Sequence, residues 1–234
     1  MGRNISITLL AAAVASLALA SVAFAATLVG TDGPDTLRGT ERPDQLYGEG
    51  GGDALLAAGG PDYVEAGPGA DRANGGPGAD LLLGGTGSDT IFAEGDADTA
   101  YAGHGNDRVS GGPGGDSLLG QTGNDSLSGG PGPDKIWGGA GSDRMLGASG
   151  KDELMASASS SVDAGDDNDR IYLHDEGGPA PAIAAGAYAI RAGGGSDTVD
   201  SRDGRVNAID CGPGSDRLLA DRGDRSTRCE RRTR

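Results

Sequence analysis

Aspartate recurs along this chain at a fixed step. Asp35, Asp44, Asp53, Asp62, Asp71, Asp80, Asp89, Asp98, Asp107, Asp116, Asp125, Asp134, Asp143 and Asp152 stand nine residues apart without a slip. Two residues after each comes an apolar or small side chain: Leu37, Leu46, Leu55, Val64, Ala73, Leu82, Ile91, Ala100, Val109, Leu118, Leu127, Ile136, Met145 and Leu154. Two residues before each stands Gly, except where Arg42 and Asp96 replace it. The fuller units read Gly-Gly-x-Gly-x-Asp-x-U-x with U apolar, as in GGPGADLL from Gly75, GGTGSDTI from Gly84 and GGPGGDSL from Gly111. A carboxylate set beside backbone carbonyls that a Gly-rich turn points inward is a collection of hard oxygen donors, the ligand type that Ca²⁺ takes.

Something must hold those donors at one geometry. The x-U-x remainder is too short for a helix and fits a short strand with its middle residue facing in. Each unit is then one turn and one strand, and two units make a coil of 18 residues. Stacked about 4.8 Å apart, the coils sort the aspartates into two columns. One holds Asp35, Asp53, Asp71, Asp89, Asp107, Asp125 and Asp143, and the other Asp44, Asp62, Asp80, Asp98, Asp116, Asp134 and Asp152. Like charges one strand spacing apart repel. A cation between neighbouring coils converts that repulsion into ligation, so folding and metal binding are expected to be coupled.

Composition agrees. The 234 residues include 46 Gly, with 35 acids against 19 Lys and Arg, a net charge of −16. Leu, Ile, Val and Phe are too few for an ordinary globular core, and so much Gly argues against long helices. Gly does not recur every third residue, which excludes collagen. What remains is a disordered acidic chain or a repeat fold held by something other than a large core. The first is the expectation without cations, the second with them.

The array closely resembles the hemolysin-type calcium-binding nonapeptide repeats of the RTX family, over residues 30–155. The resemblance implies an all-β fold, a parallel β-roll of the right-handed parallel β-helix type, with about seven two-turn coils over residues 26–155. It implies several Ca²⁺ ions, up to about a dozen, held between turns by the motif aspartates. Turn carbonyls near Gly51, Gly69, Gly78, Gly87, Gly105, Gly114, Gly123, Gly132 and Gly141 complete the ligand sets. Asp96, Asp169, Asp197 and Asp216 are weaker candidate ligands. Asp96 either adds a ligand or distorts its turn. The first coil, which has Arg42 in place of Gly, and the coil around Asp98 are expected to bind most weakly.

Beyond the array the period slips. Residues 155–165 read as a loop or bulge, and DDNDRIYL from Asp166 as one degenerate unit. Residues 156–192 are thus expected to be a degenerate repeat plus a loop insertion. Units centred on Asp197 and Asp216 then return. The two cysteines, Cys211 and Cys229, are most simply one disulfide in an oxidising compartment. This stretch also resembles the tail of secreted bacterial calcium-binding repeat proteins, where Asp-Cys-Gly and a later Cys-Glu recur, here Asp210-Cys211-Gly212 and Cys229-Glu230. The resemblance implies that residues 193–230 clamp and cap the open end of the roll. Residues 231–234 are expected to be a disordered basic tail, with Arg222, Arg225 and Arg228 available to pair with acidic coil edges.

At the other end, Arg3, an apolar run from Ile5 to Leu19, and Ala23-Phe24-Ala25 read as a secretory signal peptide, residues 1–25, cleaved after Ala25. An uncleaved anchor is the alternative. HExxH, GxSxG and phosphate-loop motifs are absent. His104 and His174, the two histidines, have no nucleophile beside them in sequence. The reading is a secreted or extracellular, non-catalytic, monomeric calcium-binding protein with a structural, surface-associated or adhesive role. The alternative is a module that binds or modifies cell-surface polysaccharide. The acidity excludes nucleic acid as a partner, and no membrane span is expected after signal cleavage.

Overall fold

A computed structural model describes residues 25–157, 160–173, 189–205 and 207–233. The signal-peptide expectation (except Ala25), His174 and, within the expected degenerate repeat and loop insertion of 156–192, residues 158–159 and 174–188 lie outside the described residues.

Short strands succeed one another along the chain. They run β1 (Thr27–Thr31), β2 (Thr36–Arg38), β3 (Gln45–Glu49), β4 (Ala54–Leu56), β5 (Tyr63–Pro68), β6 (Arg72–Pro77), β7 (Leu81–Thr86), β8 (Thr90–Gly95), β9 (Thr99–His104), β10 (Arg108–Ser110), β11 (Ser117–Thr122) and β12 (Ser126–Pro131). They continue as β13 (Lys135–Trp137), β14 (Arg144–Ser149), β15 (Glu153–Ala156), β16 (Ser161–Asp166), β17 (Arg170–Leu173), β18 (Ala189–Arg191), β19 (Thr198–Ser201), β20 (Ala208–Asp210), β21 (Arg217–Ala220), β22 (Arg225–Thr227) and β23 (Arg231–Thr233). Odd-numbered strands form a 12-stranded sheet and even-numbered strands an 11-stranded sheet. Every pairing is parallel and joins strands one coil apart, as Leu82 with Ala100 and Val109 with Leu127. This is a parallel β-roll.

The stack is longer than the unbroken period. It has roughly eleven coils rather than about seven, because units beyond residue 155 keep an inward apolar residue after the period slips. Val162, Ile171, Ile190, Val199, Ile209 and Leu218 are all buried. Register is kept across longer and shorter steps: Ile171 pairs with Val199 and Glu153 with Arg170. Two expectations are corrected. Within 155–165, Ser161–Asp166 is strand β16, paired with β14 through Met145 and Val162. Within the supposedly disordered tail, Arg231–Thr233 is strand β23, paired with β21 through Arg217 and Arg231. An exposed parallel edge is a template for another strand, and the last residues fill it.

The core is thin and has two inner positions per unit. The apolar residue two after each Asp is buried, with Leu46, Leu82, Leu118 and Ile136 fully enclosed. Four after the Asp stands Gly or Ala in most units, and Ala57, Ala66, Ala93, Ala102 and Ala156 are buried there. Small residues at that position let the two sheets approach. Ala73 and Ala100 stack between Leu55 and Ile91 and between Leu82 and Leu118, so their larger neighbours surround them.

The turns depend on backbone that most side chains avoid. Gly87 has φ +128°, and a Cβ on it would lie 1.4 Å from the Gly69 carbonyl oxygen of the preceding coil. At Asp96, where Gly is missing, the turn keeps the positive φ. Asp96, at the Gly position, has φ 79°, and Glu94, two residues earlier, has φ 82°. We expect Gly87→Ala to destabilise the calcium-loaded roll by about 2 kcal/mol or more. Gly95→Ala, where an added Cβ meets nothing within 4 Å, should leave the melting temperature nearly unchanged. Thermal melts of the two variants in calcium check the contrast.

Candidate metal centre

Each motif aspartate stands at the start of a strand, its side chain turned into the roll. From Asp44 to Asp152 all thirteen are buried. One oxygen of each is used in the same way. The backbone N–H of Asp71 donates to Oδ1 of Asp89 at 2.8 Å, and that of Asp89 to Oδ1 of Asp107 at 2.8 Å. The second column repeats the pattern: Asp80 to Asp98 at 2.7 Å, Asp98 to Asp116 at 2.9 Å. Meanwhile the Asp carbonyl accepts from the strand of the next coil, as Arg108 N–H to Asp89 O at 2.9 Å. The side-chain oxygen thus replaces a backbone carbonyl in the inter-coil ladder.

The other oxygen has no partner. Oδ2 of Asp53, Asp62, Asp71, Asp80, Asp89, Asp98, Asp107, Asp116, Asp125, Asp134 and Asp152 is buried without a hydrogen bond, and so is that of Asp169, Asp197 and Asp216. A buried carboxylate oxygen left unpaired is costly. Rows of them, one per coil on both edges, form a donor set fitted to a hard cation. Among the described residues no group of three or more His, Cys, Asp or Glu side chains converges on one point. Single carboxylates from neighbouring coils together with turn carbonyls would make the oxygen-only mixture that Ca²⁺ accepts.

The first coil differs. Asp35 Oδ2 accepts from Thr31 N–H at 2.6 Å and Thr31 Oγ1 at 2.8 Å, and Asp44 Oδ2 from Thr40 N–H at 2.5 Å and Thr40 Oγ1 at 2.9 Å. Here the orphan oxygen is satisfied by the chain itself. Asp96 does not distort its turn. Its side chain is exposed and off the column, and it acts on Asp80 and Asp98 through its charge.

The two columns end differently. The second continues without a gap: Asp152 donates to Asp169 at 2.9 Å, Asp169 to Asp197 at 2.9 Å, Asp197 to Asp216 at 3.0 Å and Asp216 to Glu230 Oε2 at 2.5 Å. The first stops at Asp143, whose N–H donates to Ser160 Oγ at 3.0 Å, while that hydroxyl lies 3.3 Å from Asp143 Oδ2. The first column's side later carries Asn207, which donates from its backbone to Asp224 Oδ1 at 2.9 Å. Asp224 Oδ2 accepts from Ser201 Oγ and Asp221 N–H. Beside it the Cys211–Cys229 disulfide joins two coils, and Arg228 pairs with Asp210. Ser160, Asn207, Asp224 and Glu230 were not legible as ladder members. Only their place in the 14- to 28-residue steps between paired strands reveals them.

Residues 29–64, 56–91, 65–100, 83–118 and 119–154 match the RTX calcium-binding nonapeptide repeat model, together more than half of the chain. The chain belongs to this family. No curated protein matches it. In this RTX roll the array that carries the family signature is also the array of orphan oxygens.

Burial sets the acidity of those groups. Asp80, Asp98, Asp125, Asp134 and Asp169 are pushed up to about 7, and Asp62, Asp89, Asp152 and Asp197 to about 6, by burial first and neighbouring carboxylates next. A carboxyl with a raised folded pKa favours the fold below its unfolded value, 3.8, and loses that contribution as pH rises through the folded value. In a chelator the roll should therefore be most stable near pH 4 and lose strand structure as pH rises through 6–7. Circular dichroism against pH in EDTA checks this. Strand content that grows from pH 4 to pH 7.5 would refute it.

Proposed function

We propose that this RTX protein is a secreted roll that folds on calcium outside the cytoplasm and serves a structural, surface-associated or adhesive role without catalysis. The observation that carries the reading is the set of buried Oδ2 atoms lacking partners on both edges of the roll. Neutral water chemistry leaves each of them a charge or a proton to accommodate in a place that offers no donor. Calcium supplies positive charge without needing a donor group.

On this reading the ions lie between adjacent coils, held by the motif aspartates of both columns and by the turn carbonyls near Gly51, Gly69, Gly78, Gly87, Gly105, Gly114, Gly123, Gly132 and Gly141. Asp169, Asp197 and Asp216 extend the second column, since their carboxylates repeat the same contacts. Asp96 contributes charge rather than ligation. Coils bounded by Asp35 and Asp44 bind weakly, because Thr31 and Thr40 already satisfy those oxygens.

Export is supported by the disulfide, which persists in oxidising compartments, and by the Arg3 and Ile5–Leu19 segment. No helix among the described residues is long and apolar enough to cross a membrane. The non-catalytic reading is supported by the family and by His104, which is exposed and hydrogen-bonded to Thr122 Oγ1 at 2.6 Å.

At neutral pH in EGTA the chain should lack strand signal, and gain it at about 10⁻⁴–10⁻³ M calcium. Asp107→Asn, in mid-column, should raise the calcium midpoint several-fold, whereas Asp35→Asn should move it little. Circular dichroism during calcium titration, reversed with EGTA, reads all three. A strand signal indifferent to EGTA sinks the coupling.

A further inference from the structure

The outer face of the 12-stranded sheet carries a line of large side chains that the carboxylate ladder does not use. Strand register stacks Leu83, Tyr101, Leu119, Trp137, Met155 and Tyr172 on six consecutive coils. All six are half-buried. The fold does not demand them. The equivalent line on the other sheet runs Asn74, Phe92, Ser110, Ser128, Leu146 and Asp163, mostly small or polar. The apolar line is therefore a property of one face and not of the repeat.

Beside it runs a line of charge with its own period. Lys135, Arg170 and Arg217 stand on alternate coils, with Glu153 and Thr198 on the coils between. All three cations are exposed. Two strand spacings put them about 9.5 Å apart. The apolar line leads into a recess of about 470 Å³ lined by Met155, Tyr172, Leu173, Asp200 and Arg202. There Arg202 pairs with Asp200 at 2.5 Å.

The occupant must be long, thin and anionic along one side. A second copy fits poorly, since stable protein interfaces bury about 800 Å² per partner. Here two chains would meet over a strip only one side chain wide. A linear polysaccharide fits on each count. Sugar rings offer flat C–H faces that stack on Tyr and Trp. Carboxylates borne on every second sugar repeat over two rings, a length of the same order as the spacing of the cations, and each can meet an ammonium or guanidinium in a charge-assisted hydrogen bond. We infer that this face binds a linear, carboxylate-bearing polysaccharide laid along the roll axis, with Trp137 and Tyr172 as stacking platforms and Lys135, Arg170 and Arg217 reading its charge. The inference deepens the surface role proposed above and rests on the calcium-loaded roll.

Trp137 is the single Trp of the chain, so its fluorescence reports on the face directly. The full chain in millimolar calcium is titrated with hyaluronan oligosaccharides, which carry one carboxylate per disaccharide, and with neutral cellohexaose for comparison. Circular dichroism of the same samples reports folding. A saturable Trp137 response to hyaluronan is expected, weakened about tenfold by Tyr172→Ala and again by Lys135→Glu with Arg170→Glu, all with unchanged dichroism. A folded roll that gives neither a fluorescence response nor calorimetric heat with hyaluronan overturns the inference and leaves the calcium reading standing. Equal binding of cellohexaose overturns it too, as does a dimer in sedimentation that Trp137→Ala abolishes. A chain that stays unfolded in calcium overturns both.

Discussion

The structure depends on one substitution of atoms: a carboxylate oxygen standing where a sheet would have a backbone carbonyl. Each motif Asp donates its N–H to Oδ1 of the Asp one coil on, as Asp107 does to Asp125 and Asp116 to Asp134. That contact ties the coils at both edges, where the chain leaves its strands and ordinary pairing ends. It also drags a charged group into the interior. Having committed Oδ1, most of these side chains, from Asp53 onward, leave Oδ2 buried and unpaired. The ladder and the demand for cations are therefore one feature: a side chain that could be neutral without loss, such as Asn, would keep much of the ladder and remove the demand.

That demand explains why so small a core suffices. A unit buries one sizeable apolar side chain and one Gly or Ala, as Leu55 with Ala57 or Ile91 with Ala93. Each large side chain contributes about 1.5–3 kcal/mol on burial, against an ordering cost of about 1–2 kcal/mol for every residue. Nine residues per unit cannot be ordered on that margin with carboxylates opposing it. Ion binding inside the fold, as proposed above, would add the difference and make stability a function of calcium concentration. On that proposal, the composition that reads as disorder is the composition of a chain whose folded state is conditional.

How much of this could be read from sequence follows the strictness of the repeat. The two columns from Asp35 to Asp152, the inward apolar residues and the parallel pairing were legible, because nine is a fixed step and any slip would turn the side chains out. Past residue 155 the step changes to 17, 28 and 19 residues between paired strands, and a fixed-period reading loses phase although the inward Ile171, Val199 and Leu218 persist. Ser160, Asn207 and Glu230 were hidden for a further reason, since they hold ladder positions by geometry and not by residue type. Glu230 stands three residues after the end of β22, in a step shortened to 14 residues from Asp216, and its extra methylene lengthens the acceptor's reach. The second inner position escaped notice because Ala and Gly in a Gly-rich chain carry no contrast. The line from Leu83 to Tyr172 was invisible because its members differ in type and stand about 18 residues apart.

The ladder has a direction, and this accounts for how the roll is finished at its ends. Every Asp N–H points to the following coil, so the last Asp of each column faces a residue that need not be an Asp but must accept. Ser160 meets that need for Asp143, and Glu230 for Asp216. At the start the need is reversed, because the first carboxylates have no earlier Asp to bond. Ala26 N–H supplies Asp44 Oδ1, and Thr31 and Thr40 satisfy the oxygens that deeper in the stack stay open. The start is closed by uncharged donors, and the far end by the Ser160 hydroxyl, the Glu230 carboxylate and a covalent link, Cys211 to Cys229. These closures cost the same whatever the length of the stack, while every added coil brings another ladder contact, another pair of buried apolar groups and another set of oxygens for an ion. A one-dimensional fold with fixed end costs and nearest-neighbour gains is favoured by length. That is the physical reason to expect many coils in such a chain, and to find imperfect units retained in the stack beyond residue 155 so long as an apolar residue still faces in.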